Sequence, residues 1–386
     1  VKQAPHSRHF FIVAGEASGD MHGARLMRSL RQRLAQSQTE CHFEGIGGPQ
    51  MESEGLRSLV PMRDINVVGF WEVAKKYRFF TRLLDTCRQR LATTGFDAFI
   101  PVDYPGFNMR LAGHAKQARV PVCWYIAPQL WAWGVERAAK LRECVDMLLV
   151  VFPFEVDFFR THGINAHFVG HPLMDAPEFA APPPPLADRK PLVALLPGSR
   201  KQEVERNLPL FLQAAQYLAS EHPHLAFRVA AAPHLPPKLY NSIEHCAFNI
   251  GLTTDSRALL CEAATGVVKT GTSTLEAALL GMPFAMAYKA SPLTYLIAKR
   301  KITLPHIALA NIVAGRTVVQ EFIQSAATPK AIAQELERLL GDKNPYEKHH
   351  SLYTAPMLEA FAEIRATLGG AGASEAAARH IVDGLA

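Results

Sequence analysis

Short runs of apolar, β-prone residues alternate along this chain with longer stretches whose apolar positions recur at helical spacing, the signature of an α/β fold with parallel sheets. In the first half the pattern predicts strands near His9–Ala14, His42–Ile46, Ala98–Val102, Val122–Ile126, Met147–Phe152 and His167–Val169. Helical segments fall between them at Gly23–Ala35, Tyr77–Leu91, Arg110–Gln117 and Glu155–Thr161. The pattern restarts at Leu192–Leu196 and continues with strands near Ala226–Ala231, Ala247–Ile250, Val267–Thr270 and Phe284–Tyr288. A Pro-rich stretch, APEFAAPPPPLADRKP, separates the halves and reads as an extended linker. Each half opens with a strand, a Gly/Ser loop and a helix. The expectation is two doubly wound domains, 1–175 and 176–345, facing each other across a cleft at their strand C-termini. The Ala-rich final segment, 346–386, is expected to be helical and to return to the first domain.

The loops that follow these strands carry the candidate chemistry. LVALLPGSRKQEVE (Leu192–Glu205) places Gly198, Ser199 and Arg200 between a strand and a helix. Free N–H groups at a helix start favour anions, and a guanidinium fork suits phosphate oxygens. VVKTGTSTLEAALL (Val267–Leu280) repeats the logic with Gly271, Thr272, Ser273 and Thr274, followed by Glu276 on the helix. Each loop alone reads equally well as an ordinary strand–helix turn; together they suggest a nucleoside diphosphate. In the first half, GEASGD sets Glu16 and Asp20 after the first strand, and GIGGPQM is a Gly-rich turn able to approach a ligand closely. Asp103 ends a strand in VDYPGFN, where it can take a proton from a hydroxyl or cap the following helix. YIAPQLWAW brings Trp131 and Trp133 into an amphipathic wall fit for core packing or for sugar and lipid contact, and Arg137 and Arg142 follow, solvated or phosphate-facing.

INVVGFWEVAKKYRFFTRLL (Ile65–Leu84) interleaves Phe70, Trp71, Tyr77, Phe79 and Phe80 with cations that include Arg82. That pattern fits a helix lying in a membrane interface, or else a partner or dimer surface. SPLTYLIAKRKI (Ser291–Ile302) is a smaller segment of the same style.

Composition narrows the classes. The 386 residues are 48% hydrophobic and 20% charged, enough for two full cores. No uncharged apolar run is long enough to span a bilayer, and the N-terminal VKQAPHSRHFFIVAGE lacks the layout of a signal peptide, so a cytoplasmic protein is expected. The six Cys residues form no C-x-x-C pair, no His pair has metalloenzyme spacing, and G-x-S-x-G is absent. No metal site and no Ser hydrolase are therefore expected. Lys plus Arg outnumber Asp plus Glu by 41 to 35, which suits phosphate ligands or an anionic surface, and the excess is too dispersed to point to nucleic acid.

GEASGDMHGARLM, GIGGPQM, VDYPGFN, YIAPQLWAW, VVFPFEVDFF, FVGHPL, LLPGSRKQEV, TGTSTLEAALLGMP and LANIVAGR run in order across nearly the whole chain. This set closely resembles the lipid-A-disaccharide synthase family. The resemblance implies a GT-B glycosyltransferase, two Rossmann-like domains with C-terminal helices crossing back to the first. It implies transfer from UDP-2,3-diacylglucosamine to 2,3-diacylglucosamine 1-phosphate with inversion, at the cytoplasmic face of a Gram-negative inner membrane, without metal or other cofactor. It points to Asp103 as the base and to Glu16 as a second candidate or orienting group. Arg200 and the N–H groups near Ser199, Ser273 and Thr274 are implied for the leaving UDP, Glu276 for the ribose and Asn311 for the diphosphate or donor sugar. The competing readings are another GT-B enzyme (a UDP-sugar 2-epimerase or the peptidoglycan transferase) and a non-catalytic nucleotide-binding membrane scaffold. A homodimer stays open.

Overall fold

The computed structural model describes residues 7–65, 77–291, 295–296, 300, 304–341 and 353–385. Its first sheet begins with β1 (Ser7–Ala14), followed by β2 (Glu40–Ile46), β3 (Leu56–Ser58), β4 (Ala98–Val102), β5 (Cys123–Tyr125), β6 (Met147–Val150) and β7 (Ala166–Phe168). All seven run parallel in the order β3-β2-β1-β4-β5-β6-β7. The second sheet contains β8 (Lys190–Leu196), β9 (Ala226–Ala230), β10 (Ile250–Thr253), β11 (Ala263–Val268), β12 (Phe284–Tyr288) and β13 (Glu321–Ile323). These are also parallel, in the order β10-β9-β8-β11-β12-β13. In each sheet the winding reverses once, between β1 and β4 and between β8 and β11. Such reversals open a crevice at the strand C-termini.

Continuous apolar strands explain the parallel form, because helices cover both faces. Phe10, Ile12 and Ala14 of β1 point into one core and Phe11 and Val13 into another, all fully buried. Each such Phe or Ile contributes about 1.5–3 kcal/mol of burial. In the second sheet Val193 and Leu195 pack with Phe211 and Phe227 in the same way.

The chain divides into two units, Val1–Asp175 with Leu368–Ala386, and Ala176–Thr367. The expected return of 346–386 is therefore narrower than the sequence suggested. Helix Ala355–Leu368 belongs to the second unit up to Thr367, and helix Ala373–Gly384 belongs to the first. Asp175 fixes that last helix by accepting Gly372 N–H at 2.7 Å, Ala373 N–H at 3.0 Å and the Ser374 hydroxyl at 3.0 Å. The Pro-rich stretch is also more than a linker. Phe179 is fully buried, and the Arg189 guanidinium donates to the carbonyls of Leu260 at 2.6 Å and Ala263 at 3.0 Å. The strand expected at Ala247–Ile250 lies at Ile250–Thr253, and the three-residue edge strands β3 and β13 were not foreseen.

Candidate active site

In the first unit the loops after β1 and β4 meet at the switch point. Glu16 is the exposed residue before helix Ala17–Ala35. Asp103 and Tyr104 follow β4 with φ of 48° and 53°, two consecutive L-residues in left-handed backbone. Such residues cost about 1–3 kcal/mol each and cluster at functional sites. Two neighbours hold the turn. The buried Asn108 amide donates to Asp103 O at 2.7 Å and to Val13 O at 3.3 Å, tying the ends of β4 and β1 together. The Tyr104 ring lies so close over Gly15 that a Cβ there would sit 2.3 Å from it, so only glycine fits. Ile126, after the neighbouring β5, is a third left-handed residue with φ of 61°.

Asp103 is exposed as a residue, while the atoms packed around its carboxyl desolvate it and push its pKa up to about 6. The Glu16 charge adds to that rise, and a hydrogen bond from the Tyr104 backbone opposes it. The Glu16 charge thus bears on Asp103, whose carboxyl is placed to exchange a proton at mildly acid to neutral pH. Asp20, the other acid of GEASGD, does different work. It is buried and accepts the N–H groups of Gly48 at 2.8 Å, Gln50 at 3.1 Å and Met51 at 3.0 Å. The GIGGPQM turn is therefore capped from within the protein. A Cβ at Gly48 would lie 2.6 Å from the Asp20 carboxylate, so its glycine serves packing and not ligand approach.

In the second unit the loops after β8 and β11 bracket the other switch point. Gly198 (φ 129°) and Gly271 (φ 133°) make the turns, as foreseen. The anion-binding N–H groups expected near Ser199 are already taken: the Glu203 carboxylate accepts Ser199 N–H at 3.1 Å and Arg200 N–H at 3.3 Å. Its other oxygen accepts Lys269 Nζ at 2.8 Å, which joins the two loops. Lys269, unremarked in the sequence, lies over the Tyr288 ring at 5.3 Å. Burial and the Glu203 charge raise the Tyr288 pKa, while the charges of Arg206 and Arg200 oppose that rise, so three cations gather here. The Arg200 side chain itself is exposed.

At the second loop, Thr272 is exposed and Ser273 half-buried at the start of helix Thr272–Leu279; their N–H groups have no acceptor among the described residues. Thr274 departs from expectation. It is fully buried, its hydroxyl donates to Gly271 O at 2.8 Å and accepts Leu309 N–H at 3.1 Å, so it braces the loop. Glu276 is engaged by Arg257 Nε at 3.1 Å, and Arg257 also reaches Glu178 at 3.2 Å. Asn311, expected at the diphosphate or donor sugar, is held by the protein itself. It is fully buried, donates to Val319 O at 2.9 Å and Glu321 at 2.8 Å, and accepts the N–H groups of Val318 at 2.8 Å and Val319 at 2.9 Å. All four of its hydrogen-bonding positions are filled by protein.

Of the aromatic segment, Phe70 and Trp71 lie outside the described residues. Tyr77 is 64% exposed and Arg82 is exposed, on helix Tyr77–Thr93. Phe79 and Phe80 are half-buried against the first unit's core, so they serve packing at least in part. Among the described residues no helix is long and apolar enough to cross a membrane.

Two doubly wound units, each built on a parallel sheet with one switch point, make this a protein of the GT-B fold, which glycosyltransferases and UDP-sugar epimerases share. The fold is similar to that of UDP-GlcNAc 2-epimerase from Neisseria meningitidis bound to UDP-GlcNAc (TM-score 0.56, 11% identity, 98% of this chain and 99% of that one). It is also similar to α,α-trehalose 6-phosphate synthase from Burkholderia multivorans (TM-score 0.54, 12% identity, 100% of both chains). At those identities the likeness carries the fold alone. A family model described as lipid-A-disaccharide synthetase matches residues 10–368, and the chain belongs to that family. It is 40% identical to the lipid-A-disaccharide synthase of Trichlorobacter lovleyi over 374 residues, covering 95% of this chain and 94% of the relative. It is 37% identical to that of Geobacter metallireducens over 392 residues, covering 99% and 98%. The activity is thus the hexosyl transfer that forms the lipid A disaccharide.

Proposed function

We propose that the chain transfers the diacylglucosaminyl group of UDP-2,3-diacylglucosamine to the 6-hydroxyl of 2,3-diacylglucosamine 1-phosphate. Asp103 takes the hydroxyl proton as the oxygen attacks the anomeric carbon. The bond from that carbon to the diphosphate oxygen breaks on the opposite face, UDP leaves with the electron pair, and the new β(1→6) linkage carries inverted configuration. The observation that carries this reading is the Asp103 carboxyl, with its pKa near 6, on a braced strained turn at the β1–β4 switch point. A base poised near the working pH contributes about 10²–10⁴-fold. Glu16 orients the acceptor and tunes Asp103 through its charge. Arg200, with the open N–H groups of Thr272 and Ser273, stabilises the charge that grows on the leaving diphosphate. Glu276, held by Arg257, keeps its second oxygen for a ribose hydroxyl. A cytoplasmic enzyme resting on the inner-membrane surface fits two greasy substrates, and the exposed Tyr77, Arg78 and Arg82 suit head-group contact. The test supplies purified protein with both diacylated sugars and follows disaccharide and UDP together. Release of UDP without disaccharide would sink the transfer reading.

A further inference from the structure

The loop after β5 carries a feature that the proposed chemistry leaves unused. Trp131 anchors the loop: it is buried, and its indole N–H donates to Glu155 at 2.7 Å. Glu155 in turn accepts the N–H groups of Val151 and Phe152, each at 3.0 Å, at the end of β6. Two residues on, Trp133 turns outward and is 44% exposed. The Arg137 guanidinium lies 4.4 Å from the Trp133 ring centroid. Gly134, with φ of 85°, permits this; a Cβ there would stand 2.7 Å from Arg137 Nε.

An exposed indole held rigid on a buried anchor is a platform for a sugar face or an acyl stem. A guanidinium stacked on it keeps all its N–H donors in one plane, free for a bidentate oxyanion. Among the described residues the Arg137 guanidinium has no carboxylate or hydrogen-bond partner, although the residue is half-buried and Glu136 is its neighbour in sequence. Other partly buried arginines of this unit, such as Arg8 and Arg90, are paired with acids. A half-buried cation without an acid partner is a cost that a bound anion would remove. β5 lies beside β4 in the sheet, so this loop follows the strand next to the one that leads into Asp103.

We propose that the Trp133–Arg137 pair recognises the acceptor sugar and its 1-phosphate, with Trp133 against the sugar and Arg137 on the phosphate. The assignment rests on the acceptor being a sugar 1-phosphate, as proposed above. The shared chemistry is a phosphate monoester or diester, so a lipid head group is the competing source.

The test compares wild type, Arg137→Ala, Arg137→Lys and Trp133→Phe on two acceptors, the diacylglucosamine 1-phosphate and the same sugar without phosphate. Arg137→Ala should raise KM for the phosphorylated acceptor about 10- to 100-fold with kcat nearly unchanged, the loss of a charge-assisted bidentate contact. The phosphate-free acceptor should show the same kcat/KM in wild type and Arg137→Ala. Arg137→Lys should recover only part of the loss, and Trp133→Phe should weaken both acceptors alike by a few fold. An equal fall for both acceptors in Arg137→Ala makes the residue structural and overturns the proposal. Unchanged KM in detergent, with lost sedimentation on phosphatidylglycerol vesicles, gives the guanidinium to lipid and also overturns it. If wild type forms no disaccharide from either acceptor, the proposed function has failed instead.

Discussion

At the β1–β4 switch point the chain sets two carboxylates and two left-handed L-residues; at the β8–β11 switch point it sets glycines and three cations. Both sheets are parallel and wind the same way, so topology does not choose the chemistry. The loops do, and they reach rigidity by different means. In the second unit Gly198 and Gly271 adopt their turns at little steric cost. In the first, Asp103 and Tyr104 are forced into theirs and held by Asn108 and by the space over Gly15. Under the proposed mechanism Asp103 meets a reacting proton, and a group with that task gains from being fixed. The cationic loops need only present charge, and there an internal carboxylate, Glu203, occupies donors that looked available.

The largest test of this contrast is Asp103→Asn. Turnover should fall about 10²–10⁴-fold while UDP affinity, read by calorimetry, stays within about twofold. Near-normal turnover would remove the base from the first switch point. Because the base must be ionised and its pKa is raised to about 6, kcat/KM should climb with pH through that value and level off above it. Next in size, Arg200→Ala should weaken UDP binding about tenfold and leave the acceptor KM alone; an unaltered UDP isotherm refutes that role. Glu16→Gln should move the kcat/KM midpoint toward acid, since it deletes the like charge that helps raise Asp103. A midpoint displaced toward alkali contradicts the coupling. Asn311→Ala should have the smallest effect on ligands and a clear effect on folding. About 2–3 kcal/mol of stability should vanish with its buried hydrogen bonds, seen as a lower Tm, with UDP affinity of the folded protein intact. A stable variant that loses UDP would restore Asn311 as a contact.

Sequence carried what is local. Apolar runs located most strands within a residue or two, and Gly turns after them marked both switch points, because hydrophobic period and turn chemistry act over a few residues. The partners of polar side chains were hidden, since they depend on distances that only the folded chain sets. Asp20 looked like a cleft acid and instead caps a helix that starts at Pro49. Thr274 and Asn311 sit in motifs rich in plausible ligand contacts, yet both are sealed inside. Lys269 gave no cue of its own beside the Gly turn. Nothing in the letters of VDYPGFN announces positive φ at Asp103 and Tyr104.

The short helix Ala373–Gly384 puts Ala377, Ala378 and Ile381 into the same core as Phe10 and Ile12 of β1, and Arg33 binds Asp383 at 2.8 Å. A ribosome delivers β1 hundreds of codons before that helix. The half of the enzyme that emerges first must therefore wait, with one greasy flank uncovered, until the half that emerges second has been made.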